Sequence, residues 1–244
     1  MVPGPMQYNG RDAEQIIPDI VIRRLPIYVR TLKHILSTGT LTVSSDELAE
    51  RIGVTAAQIR RDLSYFGRFG KQGKGYDVET LLQKIQHILN LDHSWDVALV
   101  GYGHLGQAIA SYRGFEPSSF RIVAIFDRDP EPAGVIAPGG VPIRSEQDIT
   151  TVVRKLGIQM GIVAVPANVA QAVTDLLIDG GARAILNYAP VTLKVPKDVW
   201  VREIDPISMM QSMTYYLDSE LVPAAPEDAH ISTQIRSSDA AGES

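Results

Sequence analysis

The chain has 244 residues, 45% of them hydrophobic, and carries 23 Lys/Arg against 28 Asp/Glu for a net charge of −5. That is enough for one large domain or two modest ones around a real core. There is no cysteine, which excludes disulfides, thiolate zinc sites and cysteine nucleophiles. No apolar run approaches the ~18 residues of a membrane span, and the N-terminus lacks the charged-then-apolar order of a signal peptide, so a soluble cytoplasmic protein without membrane partners is expected.

Residues 1–19 are rich in Pro, Gly and polar side chains and read as a flexible arm. The stretch 20–77 reads as a small helical module. Val21, Leu25, Tyr28, Leu32, Ile35 and Leu36 recur at helical spacing from Ile20 to Ser37, and Pro26 suits an early turn. Ser44 to Glu47 supply capping residues for a short helix through Arg51, Gly53 stops it, and Thr55 caps a third helix from Ala56 to about Phe66. Helix, short glycine turn, helix is the helix-turn-helix pattern. Gly67, Gly70, Gly73 and Gly75, with Arg68, Lys71 and Lys74 between them, suit a tight basic β-hairpin wing.

Charge sets this module apart. Ile20 to Tyr76 holds ten Lys/Arg and four acids, a net +6 that leaves −11 for the rest of the −5 chain. A basic head on an acidic body is the electrostatic footprint of DNA binding, although a solvated basic face with no partner has the same composition. On the third helix, Ile59, Leu63 and Phe66 share an apolar face, while Gln58, Arg61 and Tyr65 fall on another, flanked by Arg60 and Ser64. With Ser45 and Thr55 at helix starts and Arg68, Lys71 and Lys74 on the wing, these are the candidate DNA-contacting residues; which read base edges and which hold phosphates stays open.

Residues 78–94 form an amphipathic linker helix, and strands alternating with helices follow over 95–204, implying a doubly wound parallel sheet. Trp95 to Val100 is a buried strand. Gly101-Tyr102-Gly103-His104-Leu105-Gly106 follows at once and opens an apolar helix, and Asp127, 21 residues after Gly106, closes the next strand, Arg121 to Phe126. Strand, G-x-G-x-x-G turn, helix, strand and acid make the dinucleotide fingerprint in its required context. Gly101 permits the tight turn, Gly103 lets backbone N–H groups approach a pyrophosphate, and Gly106 lets helix pack on strand. Asp127 suits the adenosine ribose hydroxyls and repels a 2′-phosphate, favouring NAD(H), while the neighbouring Arg128 is the residue type that serves one. His104 is either a helix-start polar residue or an added charge beside the phosphates. A loop over Asp129 to Gly140, a helix over Ser145 to Leu156, a strand over Met160 to Val165, a helix over Ala167 to Asp179, and strands at Arg183 to Leu186 and Val199 to Ile204 complete the sheet. A last helix, within 205–219, carries Ile207, Met210, Met213, Tyr216 and Leu217 along one side; its position after the sheet is complete suggests that it covers another surface. Residues 220–244 have the composition of a disordered tail. With no thiols and no HxxxH pair, no metal is expected.

Particular segments carry a family resemblance: Arg24 to Arg30 (RLPIYVR), Gln58 to Gly67 (QIRRDLSYFG), Gly73 to Tyr76 (GKGY), Gly101 to Gly106, Phe126 to Pro130 (FDRDP), Val165-Pro166, and Ile185 to Pro190 (ILNYAP). The chain resembles the Rex family of redox-sensing transcriptional repressors from about Ile20 to Leu217. The resemblance implies an α/β protein with an N-terminal winged helix-turn-helix, a Rossmann-like domain that takes NADH and NAD+ as regulatory ligands, and a domain-swapped C-terminal helix. It implies a homodimer that holds pseudo-palindromic double-stranded operator DNA when free or NAD+-bound and lets go when NADH binds. Carried over by residue, Tyr112 resembles a switch tyrosine that trades between Arg30 and Asp205, and Val165, Pro166, Asn187, Tyr188, Ala189 and Pro190 resemble the nicotinamide end of the site. Pro206 departs from an aromatic residue found in some members, so no stacking role is carried onto it. The alternative of an NAD-dependent oxidoreductase with an accessory basic domain would need a substrate-orienting cation and a proton donor beside the nicotinamide, and no such set stands out. A Rossmann domain holding another adenine nucleotide or coenzyme A is a further reading.

Overall fold

The computed structural model describes residues 17–69, 75–128 and 136–217, in two compact units divided between Asn90 and Leu91. Lys71 and Lys74, the expected tip of the wing, and nearly all of the expected arm and tail lie outside the described residues.

The first unit comprises α1 (Asp19–Ser37), β1 (Thr42–Val43), α2 (Ser45–Ile52), α3 (Ala56–Ser64), β2 (Tyr76–Asp77) and α4 (Val78–Ile88). Its helices begin where side chains can satisfy the orphan N–H groups of a first turn. Ser44 and Glu47 close a reciprocal capping box on α2, the Thr55 hydroxyl accepts from the Gln58 N–H at 3.1 Å, and Asp77 accepts from the Thr80 N–H at 2.8 Å. Gly53 ends α2 at φ 80°, a conformation costly for any residue with a Cβ. Val21, Leu25, Tyr28, Leu32 and Ile35 of α1 interdigitate with Leu48 of α2, Ile59 and Leu63 of α3, and Val78, Leu81 and Ile85 of α4. Each such fully buried aliphatic side chain contributes about 1.5–3 kcal/mol.

Helix α1 starts at Asp19 and carries Pro26 in its early part, as expected. Two expectations change here. Helix α4 is not a free connector, since its apolar face closes the same core. And β2 pairs antiparallel with β1, Val43 opposite Tyr76, while Arg68 and Phe69 on the other limb of the expected hairpin carry no strand. That return path requires Gly75 (φ +72°), because a Cβ there would stand 2.7 Å from the Val43 carbonyl oxygen.

The second unit comprises β3 (Trp95–Val100), α5 (His104–Ala110), β4 (Phe120–Asp127), β5 (Ile136–Ala137), β6 (Val141–Ser145), α6 (Ile149–Leu156), β7 (Met160–Val163), α7 (Ala167–Gly180), β8 (Ala184–Asn187), β9 (Trp200–Glu203) and α8 (Pro206–Thr214). Among the described residues the sheet order is β5-β6-β4-β3-β7-β8-β9, parallel throughout except β5 on β6. The central strands are buried on both faces. Ala98, Val100, Ala124, Phe126 and Val163 look one way, with Ile149 and Val153 of α6 and Val173 and Leu177 of α7, and Val97, Leu99, Ile125 and Ile162 look the other way with Ile109 of α5.

The expected loop from Asp129 to Gly140 contains the short strand β5, and the helix expected from Ser145 is preceded by β6. Val141 to Ser145 is a strand parallel to β4, a 3₁₀ turn covers Glu146–Asp148, and the helix begins only at Ile149. Pro142 looks like a strand breaker, but it stands opposite Ile136 of β5, while the ladder to β4 runs through Ile143 to Ser145.

Candidate nucleotide crevice and DNA-reading helix

Strand order reverses between β3 and β7, and ligands of open α/β sheets sit at such a switch point, outside the carboxyl ends of the strands. The loops there are laced together. The Gly101 N–H donates to the Phe126 carbonyl and the Ala164 N–H to the Val100 carbonyl, each at 2.8 Å, and the Tyr188 N–H donates to the Val163 carbonyl at 2.9 Å. This brings Gly101 to Gly106, Asp127, Val165-Pro166 and Asn187 to Pro190 to one end of one sheet, as the sequence reading expects.

The three glycines have separate reasons. Gly101 has φ +96°, and a Cβ on it would lie 2.4 Å from the Ala164 carbonyl oxygen; one on Gly106 would lie 1.9 Å from the Gly101 carbonyl oxygen. Gly103 meets nothing within 4 Å and is exposed. Its lack of a side chain serves no internal packing and leaves the backbone open to a ligand, so the turn fits a pyrophosphate. Gly103 is also the N-cap of α5 with no side-chain cap, so the first-turn N–H groups of His104 and Leu105 are left at the open end. Asp127 is half-buried, and its Oδ2 accepts from the Tyr102 N–H at 2.5 Å, tying the end of β4 to the turn. Arg128 is exposed beside it.

At the other end of the crevice, Val165 is half-buried and Pro166 exposed. Asn187 is fully buried, with its side chain engaged by its own loop. Nδ2 donates to the Ala189 and Val191 carbonyls at 3.1 and 2.8 Å, and Oδ1 accepts from the Ala189 N–H at 2.9 Å. It therefore shapes the loop that presents Tyr188 and Pro190 instead of facing outward. Tyr112 stands just past α5, 65% exposed, edge-on to Phe115. Asp205 caps α8 by accepting from the Ile207 and Ser208 N–H groups at 3.0 and 3.2 Å. Arg30 is an exposed residue of α1 in the first unit.

On α3, Arg60, Arg61 and Ser64 are exposed, as is Arg68 beyond it, and Gln58 and Tyr65 are half-buried. Ser45 is half-buried with its hydroxyl 3.4 Å from that of Tyr76, and Ser64 donates to the Arg61 carbonyl. Gln58 differs from the expected free reader: its Nε2 donates to Asp62 Oδ1 at 2.7 Å. Asp62 has no exposed surface, and it also accepts from Arg24 Nε and Nη2 at 2.6 and 2.8 Å and from the Tyr28 hydroxyl at 2.6 Å. Burial pushes this carboxyl up, but the donors Arg24, Tyr28 and Gln58 outweigh it and hold it below its ordinary value. Burial and the bond to Asp62 push the Tyr28 hydroxyl up. Sequence reasoning missed Asp62, although the signal is present. Ile59, Asp62, Leu63 and Phe66 make one helical stripe, and an acid on an apolar stripe demands buried partners.

Comparison with known proteins agrees with both halves. Residues 16–64 match the family model described as "Putative DNA-binding protein N-terminus", and residues 92–191 match that of the CoA binding domain. A redox-sensing transcriptional repressor Rex from Chloroflexus aurantiacus is 58% identical over 203 residues, 83% of this chain and 95% of that protein. A solved structure of RSP in complex with β-NAD+ and operator DNA superposes with a TM-score of 0.80 at 39% identity, covering 85% of this chain and 95% of the other. RSP in complex with β-NADH gives 0.76 at 37% identity over 85% and 97%. At that identity over nearly the whole of its relatives, the chain belongs to the Rex family of redox-sensing transcriptional repressors.

Proposed function

We propose that the chain is a redox-sensing repressor that binds operator DNA when free or NAD+-bound and is released by NADH, so that transcription follows the NADH/NAD+ ratio. The observation that carries this is the pairing, in one chain, of a helix-turn-helix with a switch-point crevice built for a dinucleotide, in a family whose member RSP is solved with β-NAD+, with β-NADH and with operator DNA. It is not an enzyme, and the oxidoreductase reading is not favoured.

In this reading the turn from Gly101 to Gly106 cradles the pyrophosphate, Asp127 holds the adenosine ribose with Arg128 beside it, and Val165-Pro166 and the Asn187 loop border the nicotinamide. Ser45, Thr55, Gln58, Arg60, Arg61, Ser64, Tyr65, Arg68, Lys71 and Lys74 are the residues that would contact the duplex, at base edges or at phosphates. The acting species is a homodimer in the cytoplasm, and its two-fold symmetry asks for a pseudo-palindromic operator. Support for a dimer comes from α8 and the 3₁₀ turn after it. Ile207, Met209, Met210, Met213, Tyr215, Tyr216 and Leu217 are all 57–81% exposed, an apolar surface that a second copy would cover by helix exchange. Tyr112, Arg30 and Asp205 are the charge-and-hydroxyl switch that would report the oxidation state of the ring.

Gel-shift titration of operator DNA at fixed salt, with the NADH/NAD+ ratio varied, tests the proposal, because salt alone moves such affinities strongly. DNA release tracking NADH is the expected result. Equal retention with either nucleotide would contradict it.

A further inference from the structure

The cluster around Asp62 goes further than holding α3 in place. Arg24 and Tyr28 come from α1, Gln58 and Asp62 from α3, and all four meet on one carboxylate with no buried polar side-chain atom left unpaired among the described residues. A purely packed helix could rotate a few degrees about its axis at little cost. A forked Arg24–Asp62 contact with hydrogen bonds at 2.6 and 2.8 Å could not, because its geometry is directional. The same carboxylate also decides which way Gln58 points. A carboxylate only accepts, so it turns the NH₂ end of the Gln58 amide inward, and the carbonyl end, to which no described residue donates, is left on the half-exposed side. A free glutamine reads adenine with both ends, whereas a glutamine held by its nitrogen offers chiefly an acceptor.

We propose that Asp62 is a positioning residue for base reading: with Arg24 and Tyr28 it fixes the rotation of α3 and presents the Gln58 carbonyl as an acceptor for an exocyclic amino group, adenine N6 or cytosine N4, in the major groove. The inference rests on the reading of α3 as the DNA-reading helix.

The test is site selection from a randomised duplex library by the full-length NAD+-bound protein, with affinities for the best selected site and for a scrambled duplex measured at several salt concentrations. The variants are Gln58→Met and the triple replacement Arg24→Met, Tyr28→Phe, Asp62→Leu. The triple variant removes both charges of the pair together and fills their space, which keeps such a core folded; it leaves the net charge unaltered. The wild type is expected to require adenine or cytosine at one position of each half-site. Both variants lose that preference at the same position and lose about tenfold in affinity for the selected site. Affinity for scrambled DNA, its salt dependence and NADH binding stay as in the wild type, which a merely structural role would not predict. The proposal is overturned if the triple variant keeps the full preference, if specific and scrambled binding fall together, or if the two variants relax different positions. A wild type that selects no sequence at all would instead remove the repressor reading beneath it.

Discussion

The three glycines of one turn are predicted to separate experimentally. Gly106→Ala sets a methyl against the Gly101 carbonyl oxygen, backbone to backbone, with no flexible side chain to give way. It should lower stability by about 3 kcal/mol, the upper end of overpacking costs, seen as a lower urea midpoint of the second unit. Gly103 has an ordinary φ of −67° and open space around its Cβ position. Gly103→Ala should therefore unfold like the wild type yet bind NADH more weakly by calorimetry; undiminished affinity would mean the coenzyme does not approach there. Asp62 supplies a pH prediction. Its folded-state pKa is depressed, so its contribution is complete above the ordinary value near pH 4 and disappears as pH falls through the folded value. Glu47 and Asp77, also held low by their capping bonds, titrate in the same acid range, so the difference between wild type and Asp62→Asn isolates Asp62. Denaturant midpoints should show Asp62→Asn about 3–5 kcal/mol less stable at neutral pH, where Arg24 loses its counter-charge, with the gap narrowing toward pH 2. A constant gap would exclude this account. Gly101 and Gly106 were legible in the sequence because their spacing is a local backbone requirement. The Asp62 cluster was not, because three of its four members read individually as surface residues and only the contact of α1 with α3 makes them partners.

At the scale of elements, legibility follows the range of the interactions. Helices α2, α3 and α4 announce themselves through Ser44, Thr55 and Asp77, whose capping bonds reach only three residues ahead. Strand β6 has no such local mark. Five residues containing Pro142 become a strand only because β4 lies alongside to pair with Ile143 to Ser145. Strand β2 likewise finds its partner not in the adjacent limb but in β1, more than thirty residues back in the chain. Helix α8 is the opposite case, an element clear from its pattern whose apolar side finds no cover among the described residues. Its apolar side chains stand exposed, and the Asp205 cap and Pro206 at the first position set its start. If a second copy covers that face, placing charges on it by Met210→Asp with Met213→Asp should convert dimers to monomers in sedimentation velocity while leaving the melting of each unit unaltered. Persistence of the dimer would exclude α8 as the exchanged element.

For the whole molecule the question is how a coenzyme site in one unit can govern DNA binding by the other. NAD+ and NADH differ by one charge and one hydride at the nicotinamide, so any response must arise from differential affinity for two arrangements of the protein. A hundredfold change in operator affinity needs only about 2.7 kcal/mol of such a difference, comparable to one or two charge-assisted hydrogen bonds. The first unit has its own core, its own caps and an internally locked reading helix, so distortion of α3 is an unpromising route for the signal. Spacing of two intact heads is the better one, since a symmetric operator places its half-sites about one duplex turn apart and tolerates little change in that distance. The two routes make opposite predictions. With a duplex carrying a single half-site, binding at low salt should be weak and indifferent to the coenzyme, whereas the full operator should be released by NADH. Fluorescence anisotropy with both duplexes, at one salt concentration and with NADH varied, makes the comparison directly. If NADH weakened half-site binding by the same factor as full-site binding, the coenzyme would be acting within each head, and a mechanism based on their separation would have to be abandoned.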